Sequence, residues 1–306
     1  MLAAVLVCEF VLFASISPYF LNIDTLSDAT FTFTERAIVA LPLALLIIAG
    51  EIDISVAAII ALASVAMGLT AAQGAGTGIV VCAGLGTGLL AGVINGTLVT
   101  VGRVPSIVAT IGTMTLFRGA AYAVLGDRVL KEYPGSFAEF GQGYFLGALS
   151  NELTLFILFA LLFGVFLHYT RWGRIIFAVG ANPVASRFAG VRVNRYRFAL
   201  FALTGLFSGL AAVLLTSRLG STRPSIAQGW ELEIISMVIL GGVSVWGGKG
   251  SILGVVLAAL VFGLITFGLG LMNIPGIVMS IFVGSLLIFV VAVPVLISRL
   301  KRQAQP

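Results

Sequence analysis

The chain has 306 residues, 59% of them hydrophobic and only 9% charged, with a mean hydropathy of +1.15 and a net charge of +5. A soluble domain carries about 25% charged residues, so a water-soluble globule is excluded. The basic excess sits in short loops beside apolar runs, where membrane orientation accounts for it, so no nucleic-acid partner is expected.

Ten apolar segments follow one another, at 1–22, 35–50, 54–72, 77–101, 104–126, 152–169, 197–219, 231–247, 252–272 and 276–298. Runs such as Thr77–Val101 and Ile252–Met272 are uncharged and about 20 residues long, the length of a helical span. They lack the alternation of barrel strands. The expected fold is all-α: a polytopic membrane protein of about ten transmembrane helices in a single domain, 1–306, immersed in membrane lipid.

The first segment has no basic n-region and no cleavage site, so no cleavable signal is read. Its abrupt start at Met1-Leu2 points to a basic leader absent from this sequence. Cys8, like Cys82 further on, lies inside an apolar span and reads as a small packing residue. Next, 35–72 holds two short segments that meet at Gly50-Glu51-Ile52-Asp53, the first interrupted by Pro42. That pattern fits an ordinary loop, or a broken helix lining a cavity.

Gly84, Gly88, Gly92 and Gly96 recur every four residues and share one helix stripe. Such a stripe admits a neighbouring backbone and is read as helix packing. Gly205 and Gly209 repeat the pattern later. Arg118 is the one basic residue left within a span. Residues 127–151 form a long connection with aromatics among its charges, and 220–229 a shorter one with Arg223-Pro224. Both read as linkers, and the long one is also what a soluble partner would touch.

Between Thr170 and Arg197 stand six of the 17 basic residues, Arg171, Arg174, Arg187, Arg192, Arg195 and Arg197, and no acid. Short basic loops mark the cytoplasmic side. With 170–196 inside, Arg103, these six, Lys249, Arg299, Lys301 and Arg302 face inward. Arg36, Arg128, Lys131, Arg218 and Arg223 face outward, and both termini are cytoplasmic. Within this loop Asn182 to Gly190 spells a short helix. Asn182 caps it, Pro183 suits its first position, and Gly190 suits the left-handed position after it. Val184 and Phe188 give it an apolar face, with Arg187 pointing elsewhere. It could lie on lipid or fill a groove in a partner.

Gly241 to Ser251 is glycine-rich but departs from a phosphate loop at Val243 and Gly250, so it is read as a tight cytoplasmic turn. No His/Cys/Asp cluster stands at ligand spacing and His168 ends a span. No metal, bound cofactor or catalytic residue is expected. Glu51 and Asp53 leave open an ion-coupled carrier.

Four ordered stretches, covering nearly the whole chain, resemble the permease subunits of bacterial ABC importers for sugars, the ribose/galactose-type family. They are Gly50-Glu51-Ile52-Asp53-Ile54-Ser55-Val56; Val104-Pro105-Ser106 with Thr110 to Met114 and Phe117-Arg118-Gly119; Gly173-Arg174 with Ala178 to Gly180, Asn182-Pro183 and Ala189 to Val191; and Gly241 to Ser244 with Gly247 to Gly250. Outer stretches Gly126 to Lys131, Gly141 to Tyr144 and Thr216 to Pro224 look like the rhamnose-type branch. Glu51 and Ala57 depart from the family's glycines, which weakens transfer of any role for that motif.

The resemblance implies a permease of the bacterial inner membrane, with ATP hydrolysed by a separate ATP-binding subunit. A periplasmic binding protein would deliver the sugar, and a second permease, identical or paralogous, would complete the pathway. Asn182, Pro183, Arg187, Phe188 and Gly190 become the element that couples to the ATPase. Asp53, Ser55, Thr113 and Arg118 become candidates for the translocation path. L-Rhamnose is the expected solute, with autoinducer 2 or ribose as alternatives.

Overall fold

A computed structural model describes residues 2–16, 20–145 and 149–275, with a few positions beyond. Thirteen α-helices occur among the described residues. They are α1 (Leu2–Ile16), α2 (Ile23–Thr30), α3 (Thr34–Ile48), α4 (Val56–Ala72), α5 (Thr77–Thr100), α6 (Ser106–Leu125), α7 (Glu139–Gln142), α8 (Asn151–Tyr169), α9 (Arg171–Ala181), α10 (Pro183–Phe188), α11 (Val193–Leu219), α12 (Trp230–Leu240) and α13 (Ile252–Leu271). Strands β1 (Tyr144–Phe145) and β2 (Leu149–Ser150) make one small hairpin. By length and composition α5, α6, α8, α11 and α13 can each cross a membrane. Nine of the ten apolar segments thus hold a helix. The tenth, 276–298, lies largely outside the described residues.

The centre of the bundle is α3. Every residue of it but Arg36 is buried, as expected of a helix that is apolar all round. Pro42 does not interrupt it. Two ion pairs set its direction: Glu35 meets Arg218 at 2.7 Å and Glu51 meets Arg197 at 2.7 Å. Both arginines belong to α11, one at each end, so α3 runs antiparallel to α11. Beside the first pair Arg36 bridges to Glu233 and lies over the Trp230 ring, 4.7 Å from its centroid.

On another face of α11 lies α5. A side chain at Gly88 would stand 2.4 Å from the Gly205 carbonyl oxygen, and one at Gly92 would stand 2.4 Å from that of Phe201. Gly84 faces Met67 and Val213, and Gly96 faces Phe198. The two backbones touch along the stripe, which only missing Cβ atoms permit. Outward faces of α5, α6 and α8 remain apolar and uncovered, with Leu90, Val108, Leu116 and Leu161 all exposed. Cys8 and Cys82 are exposed too, so they do not pack as small interior residues.

Residues 133–142 fold down onto the end of α11. The Gly141 amide donates to Ser217 Oγ, and that hydroxyl donates to the Phe137 carbonyl. Tyr133 stacks on Phe137 with centroids 4.9 Å apart, and its hydroxyl is hydrogen-bonded to that of Thr222. Burial pushes the Tyr133 hydroxyl up to about 12, with the Thr222 bond pulling the other way.

Candidate functional site

Two short regions interrupt helical order in the interior. The first is the connector from α3 to α4. Gly50 adopts φ of +84°, a conformation that favours glycine, and residues 51–54 are not helical. This connector is not an ordinary exposed loop: Asp53 and Ser55 are fully buried. Asp53 Oδ1 accepts from the Ser55 amide at 2.8 Å and the Ser55 hydroxyl at 2.6 Å. Asn95, from α5, donates to Asp53 Oδ2 at 3.1 Å and to Ser55 Oγ at 2.8 Å. Nearby, the Ile52 amide donates to Ser106 Oγ and Thr110 to the Ile52 carbonyl.

The second region, 220–229, is not the exposed outer linker expected before the segment 231–247. The helix α12 has 11 residues, too few to cross a hydrocarbon core. The segment before it folds inward instead: Thr222, Pro224, Ile226 and Ala227 are buried. Its carbonyls meet Arg118, whose guanidinium donates to Pro224 at 2.8 Å, Ile226 at 2.7 Å and Ala57 at 3.2 Å. Arg118 stands seven residues before the end of α6, about 10 Å along the axis. Irregular backbone at such depth survives only where its polar groups are satisfied, and Arg118 satisfies two of its carbonyls while Thr222 pairs with Leu130.

Asp53 and Ser55 thus form one cluster, while Arg118 reaches it only through the backbone of Ala57. Thr113 is buried on α6 and bonds to its own helix, at the Thr110 carbonyl. Thr110 stands in the second motif without an assigned role, and Asn95 is not singled out by the sequence. Asn95 carried a signal nonetheless, as a carboxamide within an apolar span. Replacing Asn95 with leucine is expected to lower stability by about 1–3 kcal/mol, because Asp53 then keeps only Ser55. Asn95→Asp should cost more, since it sets two buried carboxylates side by side. Thermal unfolding in detergent measures both, and unchanged midpoints would show that this cluster carries no stability.

At the opposite end of α11 lies the basic segment. Asn182 Oδ1 accepts from the Val184 and Ala185 amides at 3.1 and 2.9 Å, and Pro183 holds the first helical position. After Phe188, Gly190 adopts φ of +83°, and its amide donates to the Arg187 carbonyl at 3.0 Å. Ser186 faces inward, whereas Val184 is 57% and Phe188 90% exposed. An aromatic side chain so fully bared has no role in packing this chain. The turn 241–251 abuts the same region: the Gly248 amide donates to the Ile48 carbonyl at 2.8 Å, and Gly248 lies against Ala181. That turn presents Trp246 at 91% exposure. Among the described residues, no group of His, Cys, Asp and Glu is placed to hold a metal ion.

A family model described as branched-chain amino acid transport system / permease component matches residues 25–291. The chain is 38% identical over 296 residues to the autoinducer 2 import system permease protein LsrD of Escherichia coli (strain K12), covering 95% of this chain and 89% of that protein. The LsrD of Shigella flexneri gives the same figures, and that of Escherichia coli O157:H7 is 37% identical. No solved structure matches.

Proposed function

The chain belongs to the family of branched-chain amino acid transport system permease components, and from that premise we propose that it is the membrane permease of an ATP-driven bacterial importer for a sugar-like solute. It is a polytopic all-α membrane permease, a transport protein and not an enzyme. The family description names amino acids and the similar proteins are named for autoinducer 2, so family membership alone leaves the solute open. Full-length likeness to autoinducer 2 permeases favours that solute over L-rhamnose. The rhamnose reading rests on the outer stretches 126–131, 141–144 and 216–224 alone.

The observation that carries the importer reading is the bared helix α10. A rigid helix, capped at both ends and offering Val184, Phe188 and the nearby Trp246, suits a groove on a separate ATP-binding subunit. ATP closes the two ATPases, and the push on Asn182–Gly190 passes through α9 to the buried end of α3. A binding protein delivers solute at the opposite surface and a second permease completes the path. The chain sits in the inner membrane with 170–196 and both termini in the cytoplasm.

An ion-coupled carrier is disfavoured because its two candidate carboxylates are engaged: Glu51 pairs with Arg197, and Asp53 is hydrogen-bonded to Ser55 and Asn95. Proteoliposomes holding the permease pair, ATPase and binding protein decide between them. The expected uptake requires ATP and survives collapse of ion gradients. Uptake driven by an ion gradient without the ATPase would sink the importer. Competition among unlabelled autoinducer 2, L-rhamnose and ribose then ranks the solutes, with autoinducer 2 expected first.

A further inference from the structure

The basic segment carries a second feature, separate from the bared face of α10. Helix α9 is amphipathic, with Ile176 and Val179 buried while Arg171, Trp172 and Arg174 are exposed. Between α9 and the start of α11 lies a groove of about 620 Å³. Its floor is apolar, with Ile176 and Leu200, and its mouth holds Arg192 and Arg195. Both arginines are exposed, and among the described residues neither makes an ion pair. No acid stands anywhere from Thr170 to Arg197. Trp172 and Tyr196 flank the mouth with their rings 5.3 Å apart, the residue types that settle at a membrane–water boundary.

This groove does not end at the mouth. Phe166 and Leu203 line it and also line a second groove of about 620 Å³ along α8 and α11, walled by Leu162 and Phe207. That second groove is almost wholly apolar and opens along α8, whose Leu158, Leu161 and Leu162 are exposed.

We propose that the two grooves together bind one anionic phospholipid. Its phosphate lies between Arg192 and Arg195, its ester region beside Trp172 and Tyr196, and an acyl chain runs past Phe166 and Leu203 along α8. Charge selects the headgroup, because two unpaired guanidiniums at a membrane surface attract anionic lipid. Chain length selects a lipid over a protein. A carboxylate of a soluble partner could reach the mouth, yet it brings nothing to fill a hydrocarbon groove. Ala189 and Gly190 also line the mouth, so a bound headgroup braces the chain as it leaves α10.

Native mass spectrometry of the full-length chain in detergent tests this, using phosphatidylglycerol and phosphatidylcholine with identical acyl chains. Each arginine is expected to contribute roughly fivefold, so the glycerol lipid binds roughly 30-fold more tightly. In Arg192→Gln/Arg195→Gln the preference falls to near unity. Leu203→Trp, which narrows the junction, weakens both lipids alike. Raising salt on the unaltered chain erodes the preference, a measurement that needs no variant to fold. Equal binding of the two lipids overturns the proposal, as does a preference indifferent to the double variant. Binding of soluble glycerol phosphate as tight as that of the lipid would overturn the acyl groove. Competition from the ATP-binding subunit with no lipid preference would assign the mouth to a protein contact instead.

Discussion

Gly88→Val is expected to remove the folded protein from the membrane. A Cβ at Gly88 would stand 2.4 Å from the Gly205 carbonyl oxygen and 2.7 Å from Gly209 Cα, and a Cβ at Gly205 would stand 2.4 Å from the Gly88 oxygen. These neighbours are backbone on both sides, so nothing can turn aside and the helices must part. Inserting carbon into a packed contact costs about 1–3 kcal/mol even where side chains can move. Here separation also strips α11 from α5, the longest contact in the bundle. Yield of monodisperse protein, read by fluorescence-detected size exclusion, should fall to roughly a tenth or less of the unaltered chain, since 1–2 kcal/mol already changes abundance several-fold. Gly86→Ala is the control, because a Cβ there meets nothing within 4 Å. Gly84→Ala should be intermediate: its nearest neighbour is the Met67 sulfur at 2.6 Å, the end of a flexible side chain. A Gly88→Val protein that accumulates and elutes normally would show that the two backbones do not touch.

Phe188→Asp is expected to abolish uptake while leaving expression unchanged. The side chain is 90% exposed, so its loss takes no packing from the fold. Removing an aromatic anchor from an interface centre costs about 2 kcal/mol or more, which weakens ATPase association roughly 30-fold. Gly190→Pro attacks the same element by another route. Proline is held near φ of −65° and has no amide hydrogen, whereas Gly190 sits at +83° and donates to Arg187. Arg187→Glu reverses a charge beside the contact without touching the caps. Co-purification of the ATP-binding subunit, measured alongside uptake, separates lost docking from lost folding. Association and uptake that survive both Gly190→Pro and Arg187→Glu at normal expression would show that Asn182–Gly190 is not where the ATPase docks.

Much of the architecture is legible in the sequence. Uncharged runs near 20 residues select helices, because a backbone in hydrocarbon must bond to itself. Asn182, Pro183 and Gly190 mark α10 by local chemistry alone, and α10 has those bounds. What local sequence does not show is long-range. Arg118 stands out in the sequence as a charge in a span and a path candidate, but its acceptors lie 61, 106 and 108 residues away. The inward course of 220–229 was hidden because Gly, Ser, Thr and Pro look alike in an exposed turn and in a buried irregular segment. Asn95 acquires its partners only because α5 packs beside the Asp53 connector.

The sequence by itself determined that this chain is an all-α membrane protein, where its apolar segments lie and which of its loops is basic. These are properties of local composition, since hydrophobic length and turn residues act over a few neighbours. Only the tertiary structure decided which helix is central, which carboxylates are paired and which apolar faces stay bare. Those outcomes depend on contacts between residues dozens to hundreds of positions apart. An apolar helix carries no mark in its own residues that tells whether lipid or protein will cover it.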